Sequence, residues 1–280
     1  MPLVSVIIPT YNRAAVLDRS IRSVLGQTFR DFELIVVDDG STDNTADVLD
    51  GFAGKLSAVS QANHGVSSAR NLGIVKSSGA LVAFLDSDDE WAPDKLARQV
   101  ARHTDHHEDF ACHTDEVWFR NGKEVVQKNI HRKQGGRFFE RALERCLISP
   151  SSVMISRRLL DRTGWFDENL PAAEDYDLWL RITAFHEVEF VPEPLVLKYG
   201  DAPDQLSRMT PAIDRFRIRA ILKILSMPEL RQDYRDAAVR ELTRKCRVVA
   251  SGCLKRAKTQ EAETYLELAG SYEACSCGSS

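Results

Sequence analysis

The sequence predicts an α/β fold, a Rossmann-like sheet flanked by helices with a helical C-terminal extension. Three observations carry this. Up to about residue 105, short apolar runs alternate with segments of helical period, the pattern of parallel strands covered on both faces. Three of the four apolar runs end in polar clusters, Pro9-Thr10-Tyr11-Asn12, Asp38-Asp39-Gly40-Ser41 and Asp86-Ser87-Asp88-Asp89, at the strand ends where such sheets collect ligands. Beyond Pro203 the helical pattern runs with few interruptions to Ala269.

The elements follow in order. Val4 to Ile8 is the first strand, and Ala15 to Leu25 a helix with Leu17, Ile21, Val24 and Leu25 on one face. Glu33 to Val37 is the second strand, Thr45 to Gly51 a helix, and Lys55 to Gln61 a weaker strand. Val66 to Val75 is helical, Ala80 to Leu85 is the near-continuous apolar run of a central strand, and Pro93 opens a further helix at its first position. In the middle of the chain, Phe110 to Phe119 and Ser152 to Ile155 read as strands. Arg137 to Cys146 and Tyr176 to Phe185 read as helices, the latter entered through Glu174-Asp175. Phe190 to Leu197 is extended, because Pro192 and Pro194 exclude a helix. Gly200, Pro203 and Pro211 mark a boundary, after which Ile213 to Ser226, Glu229 to about Arg256 and Thr259 to Ala269 are helical.

Composition narrows the class. The 280 residues suffice for one large α/β domain with an appendage, and 43% hydrophobic with 28% charged residues exclude a disordered or collagenous chain. A formal charge of −4 gives no general attraction to nucleic acid. Between Ile213 and Lys258, however, thirteen Lys/Arg stand against five Asp/Glu. There Ile213, Phe216, Ala220, Ile221, Ile224 and Leu225 form an apolar stripe beside Arg215, Arg217, Arg219 and Lys223. Such a stripe suits peripheral contact with an anionic membrane, or packing against the preceding domain or a second subunit. No apolar run reaches the ~18 residues that span a bilayer, so a cytoplasmic protein is expected, peripheral at the inner membrane face if that stripe is exposed. Cys112, Cys146, Cys246 and Cys253 are expected as reduced thiols; Cys275 and Cys277 could ligate a soft metal, but a frayed Gly/Ser-rich end is the expectation.

Four constellations carry chemistry. Asp86 and Asp88 follow a buried strand two residues apart; they repel one another and lose hydration, which invites a hard cation such as Mn²⁺ or Mg²⁺. A plain turn would also use Asp and Ser. Asp38 and Asp39 end a strand where a carboxylate can accept the imide N–H of a uracil or thymine, while Ser41, Thr42 or Asp43 caps the next helix. Gly65 opens a helix whose free N–H groups could face a diphosphate, with Arg70 adding a positive fork. Glu174, Asp175 and Asp177 crowd a helix entrance; the dipole alone favours acids there, but a carboxylate partly desolvated beside Tyr176 and Trp179 also makes a general base. Asp175 is expected to face the cleft and Asp177 to point away. No Walker A or GxGxxG sequence is present.

Together these segments resemble the family 2 glycosyltransferases of the GT-A fold, over about residues 3 to 200. The resemblance is carried by Val6-Ile7-Ile8-Pro9-Thr10-Tyr11-Asn12, Val36-Val37-Asp38-Asp39-Gly40-Ser41-Thr42-Asp43, Asn63-His64-Gly65 with Ala69-Arg70-Asn71, Phe84-Leu85-Asp86-Ser87-Asp88-Asp89, and Glu174-Asp175-Tyr176-Asp177-Leu178-Trp179. It implies a mixed GT-A sheet in a catalytic domain of residues 1–205, split into a nucleotide-sugar half (1–105) and an acceptor half (106–205). A helical extension (206–270) and a flexible tail (271–280) would follow. It implies that Pro9, Thr10 and Tyr11 line the nucleoside pocket, Asp39 contacts the base, and Arg70 lies near the donor phosphates. Asp86 and Asp88 would form the DxD motif holding Mn²⁺ or Mg²⁺, with Asp175 as the catalytic base. Glu174, Trp91, Trp179 and Lys198 are expected at the acceptor or directly behind it. The loop Lys198-Tyr199-Gly200-Asp201-Ala202-Pro203-Asp204-Gln205-Leu206-Ser207 lacks the His found in many relatives; either Lys198 supplies the positive charge instead or the loop closes over the donor. The implied activity is inverting transfer of a sugar from a nucleotide diphosphate, preferably UDP, to a carbohydrate, lipid-linked or other hydroxyl, in surface polysaccharide or glycoconjugate synthesis. The alternatives are a sugar-1-phosphate nucleotidylyltransferase and an inactive nucleotide-sugar-binding module.

Overall fold

Val4–Thr10 forms β1, seven consecutive buried residues, as a central strand covered on both faces requires. A computed structural model describes residues 1–103, 108–126, 129–200 and 213–277, with side chains through residue 274. β2 (Phe32–Asp38) and β4 (Leu81–Phe84) pair with β1 in parallel on either side, and β3 (Ser57–Ser60) adds to β2. The helices α1 (Ala14–Leu25), α2 (Thr45–Asp50) and α3 (Val66–Lys76) make the crossovers. β1 therefore sits at the point where the strand order reverses, and the crevice beyond its carboxyl end and that of β4 is the natural ligand site.

Past β4 the sheet turns mixed. β8 (Val153–Ser156) runs antiparallel to β4, and β6 (Ala111–Arg120) antiparallel to β8. β9 (Glu189–Tyr199) lies parallel to β6 with a register shift around Asp115, and the short β5 (Glu90–Trp91) closes the edge. β7 (Lys123–Val125) pairs with β6. Pro192 and Pro194 lie within β9 next to the irregularity. A central ladder tolerates proline only where its missing donor is not needed.

Helices α4 (Lys95–Val100), α5 (Phe139–Glu144), α6 (Arg157–Thr163) and α7 (Glu174–Phe185) cover the second half. Pro93 stands two residues before α4, so it shapes the approach instead of opening the helix. α8 (Asp214–Leu225), α9 (Gln232–Leu254) and α10 (Thr259–Cys277) follow. α10 continues through residues 271–277, where a flexible tail is expected; Ser and Gly weaken a helix but do not by themselves end it. The stripe on α8 is covered by protein: Ile218, Ala220, Ile221, Ile224 and Leu225 are buried in one cluster with Tyr176, Leu178 and Trp179 of α7, and Ile213 and Phe216 pack against it. That stripe is therefore not a membrane surface. Among the described residues, no helix is long and apolar enough to cross a membrane.

Candidate active site

The strand ends are zipped together by short polar side chains. Asn12, at φ 50°, accepts the Thr42 N–H through Oδ1 at 2.8 Å, and its own N–H donates to Ser41 Oγ at 2.8 Å. The left-handed conformation suits Asn, whose side chain bonds locally. Asp43 accepts from the N–H of Ala14 at 3.1 Å and of Thr45 at 3.0 Å, so one carboxylate caps the starts of α1 and α2. Thr10 and Pro9 are buried, whereas Tyr11 is 45% exposed.

Asp39 is buried and holds the next loop. Its carboxylate accepts from Gln61 Nε2 at 2.6 Å and from the N–H groups of His64 and Gly65 at 3.0 and 2.8 Å. Three of about four acceptor directions are thus occupied, leaving little for a base. Gly40, at φ +80°, brings this turn so near the loop that a Cβ would lie 2.9 Å from the Asn63 nitrogen.

The acidic turn after β4 is clamped from two sides. From α1, Ser20 Oγ lies 2.8 and 2.6 Å from the carbonyls of Ser87 and Asp89, and Arg19 donates to the Asp88 carbonyl at 2.7 Å. From the short 3₁₀ turn Pro150–Ser152, Ser151 Oγ accepts the Asp86 N–H at 3.1 Å and donates to Asp89 Oδ2 at 2.6 Å. Lys198 completes it, its Nζ 2.9 Å from Asp89 Oδ2.

Arg70 is the hub. It is only 3% exposed, and its guanidinium reaches Asp86 Oδ1 at 2.8 Å and Glu174 Oε1 at 2.7 Å. Arg70 is thus a buried brace, with each outer nitrogen bonded to a carboxylate. Through it the acidic turn is joined to the entrance of α7. There Asp175 Oδ1 accepts the Tyr176 N–H at 2.6 Å, and Oδ2 lies 3.2 Å from Cys146 Sγ. Asp177 points away, paired with Arg181 at 2.8 Å and Lys223 at 3.1 Å.

Charge sorts these carboxylates. Burial pushes Asp86 up, but Arg70 and Lys198 outweigh it and hold the carboxyl low. Asp88 is raised by burial and by the charge of Asp86, and among the described residues no other side chain bonds its carboxylate. Burial with Asp86 and Asp88 nearby pushes Asp89 up to about 7, against the pull of Lys198. Glu174 is raised by burial and by Asp175. Lys198 loses by burial but is held protonated by Asp89, Glu116 and Asp86.

A divalent cation fits the Asp86–Asp88 pair in part. The raised Asp88, whose carboxylate no other described side chain bonds, and the second oxygen of Asp86 are two hard donors, and a cation between them would relieve their repulsion. Asp89 is taken by Lys198 and Ser151. Among the described residues no group of three His, Cys, Asp or Glu could hold a metal, so the remaining ligands would come from phosphate and water.

Other expected residues sort differently. Trp91 is 2% exposed, under Lys95 at 3.9 Å, with its N–H given to the Ser151 carbonyl at 2.8 Å. Trp179 is equally buried, edge-on to Phe166. Both stand behind the site as core and neither is available to touch an acceptor. Lys198 does reach the site; the loop residues 201–207 that follow it lie outside the described residues. The sequence reading missed Ser151, Cys146 and Glu116. Glu116, on β6, pairs with Lys133 at 2.7 Å and accepts from Ser149 Oγ at 2.6 Å. The alternation of β6 could have flagged Glu116 as an inward charge, but nothing local marks Ser151 or Cys146.

Fold and site define an α/β architecture with an acidic crevice beyond β1 and β4, and comparison with known proteins gives the family. The Glycosyl transferase family 2 model matches residues 5–164, and the chain belongs to that family. An uncharacterized glycosyltransferase of Rickettsia prowazekii is 31% identical over 206 residues, covering 70% of this chain; the match spans 63% of the relative's own length. The Escherichia coli UDP-Glc:alpha-D-GlcNAc-diphosphoundecaprenol beta-1,3-glucosyltransferase WfgD is 35% identical over 185 residues, 64% of this chain and 69% of that one. Among solved structures, S. aureus TarS 1-349 in complex with UDP-GlcNAc superposes with TM-score 0.68 at 18% identity, over 94% of this chain and 90% of that one. A Pyrobaculum calidifontis mannosyltransferase in complex with GDP-Man and Mn2+ gives 0.61 at 19% identity, over 96% and 75%. These likenesses establish the GT-A fold.

Proposed function

We propose that the protein is an inverting glycosyltransferase that moves a sugar from a UDP-sugar to a hydroxyl acceptor in surface polysaccharide or glycoconjugate synthesis. The observation that carries this reading is the ion-paired chain Asp86–Arg70–Glu174, which ties the acidic turn to the helix bearing Asp175. A donor subsite and a base are thereby held by one rigid brace, as single displacement demands. The UDP preference and the pathway draw on the relatives' printed activities, WfgD and the putative teichuronic acid biosynthesis glycosyltransferase TuaG of Bacillus subtilis.

In this reading Thr10 and Tyr11 flank the nucleoside, and Asp39 shapes the loop beside it, with one acceptor direction left for the base. Asp86 and Asp88 would hold Mn²⁺ or Mg²⁺, which when bound supplies Lewis acidity toward the diphosphate. Asp175 removes the acceptor proton as the oxygen attacks the anomeric carbon opposite the leaving group. The transition state is oxocarbenium-like, as in glycoside hydrolysis. Glu174, held by Arg70, keeps Asp175 oriented. Residues 1–205 act as the catalytic unit and α8–α10 brace the α7 side of it.

Asp175→Asn tests the reading. It should retain UDP binding and lose transfer and donor hydrolysis; undiminished turnover would move the base elsewhere.

A further inference from the structure

We infer that Cys146 is a positioning residue for Asp175, a thiol that serves both protonation states of the base. The inference rests on Asp175 being that base. Sγ lies 3.2 Å from Asp175 Oδ2 and 3.1 Å from the carbonyl of Ile148. A thiol carries one proton and two acceptors compete for it. When Asp175 is charged, the S–H gains most by pointing at the carboxylate, since hydrogen bonds to ionised acceptors are the stronger. Once Asp175 has taken the acceptor's proton, the S–H swings to Ile148 O and the sulfur is free to accept from the carboxylic acid. No atom but hydrogen has to move.

The surroundings keep the sulfur in the thiol form. Burial raises the Cys146 pKa well above its usual value, and Asp175 and Glu174 add to this against the opposing charge of Arg217. The charged groups facing this corner come from several elements. Glu174 lies on α7 itself and is paired to Arg70 of α3; Arg217 and Asp214 come from α8, and Glu241 from α9. Arg217 also stands 5.7 Å over the Tyr176 ring, while the Tyr176 hydroxyl donates to the Leu143 carbonyl at 2.6 Å. Tyr176 is thus fixed between α5 and α8, which fixes the turn that carries Asp175. The Cys146 sulfur sits against that turn from the segment following α5.

The S–H stretching band in the infrared, assigned as the band lost in Cys146→Ser, reports the contact without activity. It should move in Asp175→Ala, where Ile148 O is the acceptor left among the described residues; an unchanged band overturns the inference. Release of UDP from UDP-GlcNAc with Mn²⁺, followed against pH, gives the functional side. Cys146→Ala should lower kcat about three- to tenfold with KM for the donor unchanged, and carry the acid limb of the profile to higher pH. Cys146→Ser, whose hydroxyl can make the same exchange, should restore both. A wild-type pH profile in Cys146→Ala, with Asp175→Asn inactive, refutes the positioning role while leaving the base in place. Turnover in Asp175→Asn instead refutes the base reading.

Discussion

Arg70 Nη2 lies 2.8 Å from Asp86 Oδ1, in a site where the arginine is 3% exposed. The same guanidinium holds Glu174, so one cation pairs with two carboxylates from segments far apart in the chain. Breaking a buried pair costs far more than making it gains, because the abandoned charge stays desolvated.

Arg70→Ala should therefore destabilise the protein by about 3 to 5 kcal/mol. Arg70→Lys should recover only part of this, since a single ammonium cannot fork to both acids. Urea unfolding of the two variants measures the difference, and equal midpoints would remove the bridging role.

Ser151 Oγ serves two masters, accepting from the Asp86 N–H and donating to Asp89. Ser151→Ala leaves both without their partner and should cost about 1 to 3 kcal/mol. Thermal melting checks the cost. Because the acidic turn is what relaxes, UDP affinity should fall as well in a titration with Mn²⁺.

Glu116 gives the pH dependence. Burial opposes its ionisation, but Lys133 and Lys198 outweigh this and bring its pKa down to about 2 from the ordinary 4.5. Its folded pKa is depressed, so its contribution is present above pH 4.5 and is lost as pH falls toward 2. The loss amounts to about 3 kcal/mol over that window. Glu116→Gln should flatten the slope of unfolding free energy there; an unchanged slope would assign acid sensitivity to other carboxylates.

Asp43 is a smaller case. As the shared cap of α1 and α2 it should contribute about 1 to 2 kcal/mol, read as the destabilisation of Asp43→Ala in the same unfolding assay.

The parallel half of the fold was legible because its cues are local. Val4–Thr10 and Leu81–Phe84 are apolar runs of strand length, and each ends in residues that only a turn would use. Asp86 and Asp88 announce themselves for the same reason. What the sequence hid was contact across distance. The partner that buries Arg70 lies 104 residues away, and Ser151 meets Asp89 across 62. No periodicity encodes such meetings. Trp91 and Trp179 look like acceptor platforms beside acidic motifs, yet the sheet closes over one and α7 turns the other inward. The basic stripe on α8 likewise looked like a surface until α7 and α9 covered its apolar side.

The central claim is that Asp86 and Asp88 hold a metal-bound nucleotide diphosphate. Asp88 is the residue to change, because its carboxylate has no other side chain to abandon among the described residues. Calorimetric titration of UDP into the wild type and Asp88→Asn, each with and without Mn²⁺, tests the claim most directly. The account predicts Mn²⁺-dependent binding in the wild type and its loss in Asp88→Asn, with the melting temperature of the unliganded protein preserved. UDP binding that ignores both Mn²⁺ and the substitution would contradict it.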